Sequence, residues 1–184
     1  MKKSLLASLC VAALALMACD KKTNEAPASS ATTSTSTTTQ PVTTSLSSNN
    51  SADIKSDLDQ IQMLSNRNSQ EATDLQNKAN QAAQKGDKAA LTSTVAQMKT
   101  YINKFNQELD ALKLKSSEVN VVRDKIKESN NLGIALAETS LESSPYKQKV
   151  TELQNRAAQL QKELMTEMQA LQNQVKTAPA KTAP

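Results

Sequence analysis

The sequence has no histidine and no tryptophan, one phenylalanine, two tyrosines, two cysteines and two glycines among 184 residues. Each shortage excludes something. Without imidazole, Ser-His and Cys-His nucleophile pairs are closed to the chain, and a zinc site loses its usual nitrogen ligand. Gly86 and Gly133 stand far apart, so there is no glycine-rich loop to cradle a phosphate. So few aromatics leave no stacking platform for bases or sugars. Charge of one sign is also missing. The 22 Lys and Arg face 18 Asp and Glu in interspersed order, which is not the electrostatic footprint of a nucleic-acid binder. No cofactor, no metal and no nucleic-acid partner is expected.

What is present begins at the N-terminus. The chain opens with two lysines and then runs apolar from Leu5 to Ala18, broken only by Ser8. This is the layout of a secretory signal peptide. The run is too short for a hydrocarbon core of roughly 30 Å, which takes about 20 helical residues. It reads as a removable leader, residues 1–18, and not as a spanning helix. With the leader gone Lys2, Lys3 and Cys10 are lost, which leaves Cys19 as the only thiol and a balance of 20 basic to 18 acidic residues.

The cut site carries the one resemblance. Leu16, Met17, Ala18 and Cys19 together resemble the lipobox of bacterial lipoproteins, although Met17 is bulkier than the usual residue at its position. The resemblance implies that the Cys19 thiol is acylated and becomes the first residue of the mature chain. It also explains an unpaired cysteine in an exported protein. Two or three acyl chains hold a protein on a membrane where one binds only marginally. Asp20 follows directly and resembles the residue that keeps enteric lipoproteins on the inner membrane. Outer-membrane placement is the alternative, with the protein facing the periplasm in either case.

Residues 19–51 combine the lipidated cysteine with a Ser/Thr-rich tract that offers almost nothing to bury. Such a segment cannot offset its ordering entropy, so a disordered tether is expected. As a flexible coil of about 30 residues its ends lie roughly 30 Å apart on average. Residues 177–184 repeat the composition and read as a loose tail.

Residues 52–176 form the domain. Helix-forming Ala, Gln, Lys, Glu and Leu dominate it, and its apolar residues alternate steps of four and three, the beat of a packed helical seam. In a first helix over about 53–85 the stripe reads Ile54, Leu58, Ile61, Ser65, Asn68, Ala72, Leu75, Ala79, Ala82. Gly86 suits a left-handed cap and Asp87 the next helix start. A second stripe follows from Leu91 to Leu112. The chain should end or bend near Lys115–Ser117, where Ser116 or Ser117 can cap a third helix. The third stripe takes Val119, Val122, Ile126, then Leu132 or Gly133, and Leu136, with the Asn130–Gly133 stretch weakening it. Ser144 and Pro145 mark a restart, and a last stripe runs from Val150 to Val175. The expectation is an all-α antiparallel bundle with coiled-coil-like heptad seams. It has four helices, or three if residues 88–142 form one rod.

Candidate sites are few. Asp57 and Asp59 stand two apart and do not share a helix face, whereas Glu163 and Glu167 do. Ser65 and Asn68 interrupt the first stripe, either to set register or to leave a small pocket beside the alanines that follow. A basic group, Lys113, Lys115, Arg123, Lys125 and Lys127, surrounds the second junction with acids interspersed. Met63, Leu64 and Met165 fall off the seams and are expected to widen the buried face.

The reading is therefore a membrane-anchored lipoprotein whose bundle is a non-catalytic interaction, scaffold or inhibitor module. Its partners are the membrane, through the N-terminal lipid, and an unidentified envelope protein. Self-association stays open, because heptad stripes serve intermolecular coils equally well. The alternative is a bundle that takes up an apolar small molecule or a lipid. It is not expected to be an enzyme.

Overall fold

A computed structural model describes residues 45–142 and 147–178. Four helices occupy it in chain order: α1 Ser51–Lys85, α2 Lys88–Asp110, α3 Ser117–Leu141 and α4 Lys147–Thr177. α1 packs on α2 and α4, α3 packs on the same two, and α1 touches α3 across the diagonal. This is the antiparallel four-helix bundle that the stripes predict. Residues 88–142 are two helices and not one rod.

α1 starts at Asn50, whose side-chain oxygen accepts the Ala52 and Asp53 N–H groups at 3.1 and 3.3 Å. It ends at Gly86 with φ 66° and ψ 22°, and the Asp87 N–H closes the turn on the Ala82 carbonyl at 3.0 Å. The Asp87 side chain then accepts the Ala90 N–H at 2.9 Å and starts α2. At Gly86 a Cβ would meet nothing within 4 Å, so backbone strain alone opposes a side chain there. Gly86→Ala is expected to lower stability by about 1 kcal/mol, the cost of a left-handed residue with a side chain, and a denaturant titration reads it.

The seams face inward as spaced. Ile54, Ile61, Leu109, Val119, Val122, Leu160 and Leu164 are almost wholly excluded from solvent. The larger core cluster draws on all four helices where α1 begins, α2 ends, α3 begins and α4 ends. A smaller cluster of Leu75, Met98, Tyr101 and Ile134 fills the opposite end from α1, α2 and α3. α4 contributes no member there, and Val150, Leu153 and Ala157 on its first half stay half-buried. The bundle is therefore four-sided at its base and closer to three-sided at its top. Along α1 the two ends lie roughly 50 Å apart, at about 1.5 Å per helical residue.

The third seam needs correction. Leu136 is buried as the stripe expects, and half-buried Ile126 and Leu132 pack against the larger cluster, but the seam also takes in Asn130, Ile134 and Ala137, and Gly133 is half-buried. Asn130 donates its side-chain amide to Asn106 Oδ1 at 2.9 Å, and Asn106 donates to Asn131 Oδ1 at 3.1 Å. The adjacent asparagines thus lace α3 to α2, and the helix runs on through Gly133. The Ser144–Pro145 restart lies outside the described residues.

Among the described residues, no helix is long and apolar enough to cross a membrane.

Candidate functional site

Cys19 and Asp20, the lipidation and sorting residues of the sequence reading, lie outside the described residues, as do the leader and most of the tether. Of the side chains that the sequence marks, Ser65 is half-buried and Asn68 is buried at 5% exposure. Asn68 donates to the Leu64 carbonyl and to Glu108 Oε2, each at 2.9 Å. Arg67 lies 3.4 Å from the same Glu108 oxygen. Tyr101 donates its hydroxyl to the Asn68 carbonyl at 3.2 Å and stacks on Phe105 with ring centroids 6.1 Å apart. Burial pushes the Tyr101 phenol up to about 12, aided by the charges on Glu71 and Glu108. The side-chain amide of Asn68 is thus bonded across to α2, the arrangement of a residue that sets register. The alternative, a small pocket beside the alanines that follow, meets Ala72 and Ala79 packed against the smaller core cluster.

The α2–α3 junction falls where the sequence puts it, with Ser116 at the N-cap position and α3 beginning at Ser117, and it is the most heavily bonded polar site described. α2 stops at Asp110, about a turn earlier than the stripe implies. Leu112 and Leu114 then fold against the larger core cluster. Asp57 reaches this junction from α1 and is wholly buried. Its Oδ2 accepts the Lys115 N–H at 2.8 Å, the Ser116 N–H at 2.7 Å and the Ser116 hydroxyl at 2.7 Å. Gln60 donates to the other oxygen at 3.3 Å. Ser116 occupies the N-cap position of α3, but its side chain makes no cap bond to the helix, because its hydroxyl serves Asp57 instead. A carboxylate at a helix N-terminus is also favoured by the helix dipole. Asp59, its sequence neighbour, faces solvent and pairs with Lys55 at 2.6 Å. The two carboxylates thus face opposite ways, and Asp57 is a structural fastener. The only sequence signal was an acid on the inner side of the α1 stripe, one turn after Asp53 and beside Leu58.

Residues 45–50, assigned by sequence to the tether, lie against the outer side of the same junction. The Ser47 N–H donates to the Lys115 carbonyl at 2.7 Å, and Ser117 N–H donates to the Ser47 carbonyl at 2.9 Å. This is a parallel bridge between Ser47 and Ser116. Glu118 Oε1 accepts the Asn49 N–H at 2.7 Å and the Ser48 hydroxyl at 3.3 Å. Among the described residues no charged side chain pairs with Glu118. The Asn49 N–H is the main reason its carboxyl sits below the ordinary 4.5.

Glu163 and Glu167 share a face of α4 as their spacing requires, and Lys125 of α3 sits between them. Its Nζ lies 3.1 Å from Glu163 and 2.5 Å from Glu167. Glu167 Oε2 is buried without a partner. The hydrogen bond to Glu167 is the first cause that raises the Lys125 ammonium, and the hydrogen bond from Lys125 is the first that lowers Glu163 below 4.5. Close by, Arg156 meets Glu128 at 2.6 Å. These pairs join α3 to α4. Glu118 and Glu163 both titrate below 4.5 when folded, so what each adds to stability is fully present above that value. It is lost as pH falls through the depressed one. A melting temperature nearly level down to about pH 5 and declining below it is expected, and Lys125→Ala should return the Glu163 carboxyl to the ordinary range in an NMR titration.

The basic group is largely answered by acids: Lys127 pairs with Asp110 at 2.6 Å and Arg123 with Asp124 at 3.4 Å, besides Lys125. Met63 and Met165 are 70% and 42% exposed, against the expected burial, while Leu64 is buried at 4%. The buried arc of α1 is thus widened by Leu64 and Asp57 and stops short of Met63. A shallow open groove of about 540 Å³ on α3 is lined by Asp124, Lys127, Glu128, Asn131, Leu132 and Ala135. Its lysine, glutamate and asparagine are already engaged by Asp110, Arg156 and Asn106. Among the described residues no three acids or thiols are grouped to hold a metal ion.

The architecture is that of an all-α bundle fastened by buried and interhelical polar groups, carried by a chain that belongs to the bacterial lipoproteins. Residues 55–176 match the family described as "Uncharacterised lipoprotein PM1805", and the chain belongs to that family. No curated protein and no solved structure matches the chain. The protein is thus a membrane-anchored lipoprotein with a four-helix domain.

Proposed function

We propose that this lipoprotein is a non-catalytic interaction module, a scaffold, adaptor or inhibitor, that faces the periplasm from a lipid on Cys19. The observation that carries the reading is the employment of its polar groups. Asp57, Asn68, Asn130 and the Lys125–Glu163–Glu167 group each hold one helix to another, which leaves them engaged in architecture. Residues 45–50 meet the bundle at its base, and the turn at Gly86 lies at the other end, roughly 50 Å along α1 by helical rise. A module of this shape presents its long polar faces and its free end to another envelope protein. Asp20 favours the inner membrane.

The test is crosslinking of the lipidated protein in intact cells with mass spectrometric identification of what it captures. One dominant envelope protein supports an adaptor or inhibitor, and that protein's membrane checks the role of Asp20. Capture of the chain by itself alone supports a self-associating scaffold. If exported Cys19→Ala stays membrane-bound, the lipid anchor is wrong and the reading loses its basis.

A further inference from the structure

The stretch Lys115–Glu118 is built like a docking edge for an extended backbone. It offers a carbonyl at Lys115, an N–H at Ser117 and a carboxylate at Glu118, and residues 47–49 use all three. Two hydroxyls add to the same register: Ser47 donates to the Lys115 carbonyl at 3.2 Å, and Ser117 donates to the Ser47 carbonyl at 3.1 Å. These are main-chain contacts of the kind by which a domain adds a strand to an exposed edge. What holds the segment is almost wholly polar and open to solvent. Its one large apolar residue, Leu46, remains 41% exposed. The inner face of the same junction is different, since there wholly buried Asp57 holds buried Ser116 and the Lys115 N–H. The edge therefore has its own support and does not need its occupant.

We infer that residues 45–49 are a releasable strap: the chain's own segment before the α1 cap docks in cis on the Lys115–Glu118 edge, and the strap opens while the bundle, with Asn50 still capping α1, stays folded. Docked, it fixes where the chain leaves the domain. Released, it adds five residues to the chain between anchor and domain, about 17 Å when extended. The inference stands apart from the proposed partner, because it requires only that the strap and the bundle open independently. Solvent-exposed hydrogen bonds with few apolar contacts mark the segments that open locally at low cost.

Hydrogen exchange on the mature lipidated protein in detergent micelles tests this with two variants. Glu118→Ala removes the acceptor of the Asn49 N–H, and Ser47→Pro removes the N–H given to Lys115 without altering α3. In both variants, peptides covering 45–49 and the Ser117 amide are expected to exchange about tenfold faster or more, while core amides such as Ile61, Leu109 and Leu164 keep their protection. Unchanged exchange at 45–49 in both variants overturns the strap. Loss of core protection in both makes the segment an integral part of the fold and overturns it equally. If the wild-type protection at 45–49 falls on dilution, the occupant of the edge is a second copy, and the cis strap is wrong.

Discussion

Asp57→Ala should cost the domain about 3–4 kcal/mol, the largest loss expected from one polar substitution here. The carboxylate is wholly buried, and Oδ2 alone accepts two N–H groups and a hydroxyl at 2.7–2.8 Å. Alanine removes all of these bonds and supplies no acceptor. The Ser116 hydroxyl can turn elsewhere, but the two backbone donors cannot move without unseating the start of α3. Each buried donor left unpaired costs about 1–3 kcal/mol. Loss of the negative charge beside the helix N-terminus adds a few tenths to about 1 kcal/mol. A domain of this size has about 5–15 kcal/mol in total, so a fall in melting temperature of roughly 10–15 °C is expected. Asp57→Asn keeps the shape and one acceptor oxygen and should cost about half as much. Asp59→Ala removes only an exposed pair with Lys55 and should stay within about 0.5 kcal/mol. Thermal melts followed by circular dichroism distinguish the three. If Asp57→Ala melted with the Asp59 variant, the α2–α3 junction would be held by the core side chains alone.

The second large effect is expected at Leu160. It has no exposed surface and is the first fully buried residue met along α4, followed by Leu164, Met168 and Leu171. The half of α4 before it is only half-buried and contributes nothing to the upper cluster. Leu160→Ala should therefore cost about 3 kcal/mol, within the usual range for truncating a buried leucine. It should also loosen α4 from its start down to this point before the rest of the bundle gives way. The checks are a denaturant titration for the magnitude and hydrogen exchange over residues 147–157 for the location. Met63→Ala at a 70% exposed position should change stability by no more than about 0.5 kcal/mol.

Most of the apolar architecture was legible in sequence because helix geometry makes it so. A stripe that steps by four and three must lie on one side, and Ile54, Ile61, Leu75, Val95, Phe105 and Leu164 are all buried where the stripe puts them. Gly86 and Asp87 were legible for a local reason, since a left-handed residue and an Asx cap leave their signature within three positions. The misreadings share a different cause. Asp57 looks like any surface acid until a junction sixty residues later delivers Lys115 and Ser116 to it. Asn130 looks like a weak point until Asn106 of α2 arrives opposite. Met63 was expected inside because its chemistry is apolar, yet α1 already fills that arc with Leu64 and Asp57. Polar groups matched across helices carry no period along the chain, so their partners are visible only once the fold brings them together.

The Ser47–Ser116 bridge has a mechanical consequence. The chain runs from the membrane through residue 45 to Ser47 before it enters α1, so tension on the tether reaches the bridge before it reaches the helix. Both main-chain bonds of the bridge are made by one residue, Ser47, through its N–H and its carbonyl. With the strap docked, the load passes into the α2–α3 junction that Asp57 braces, and the first turn of α1 is spared being peeled from the bundle by its own anchor.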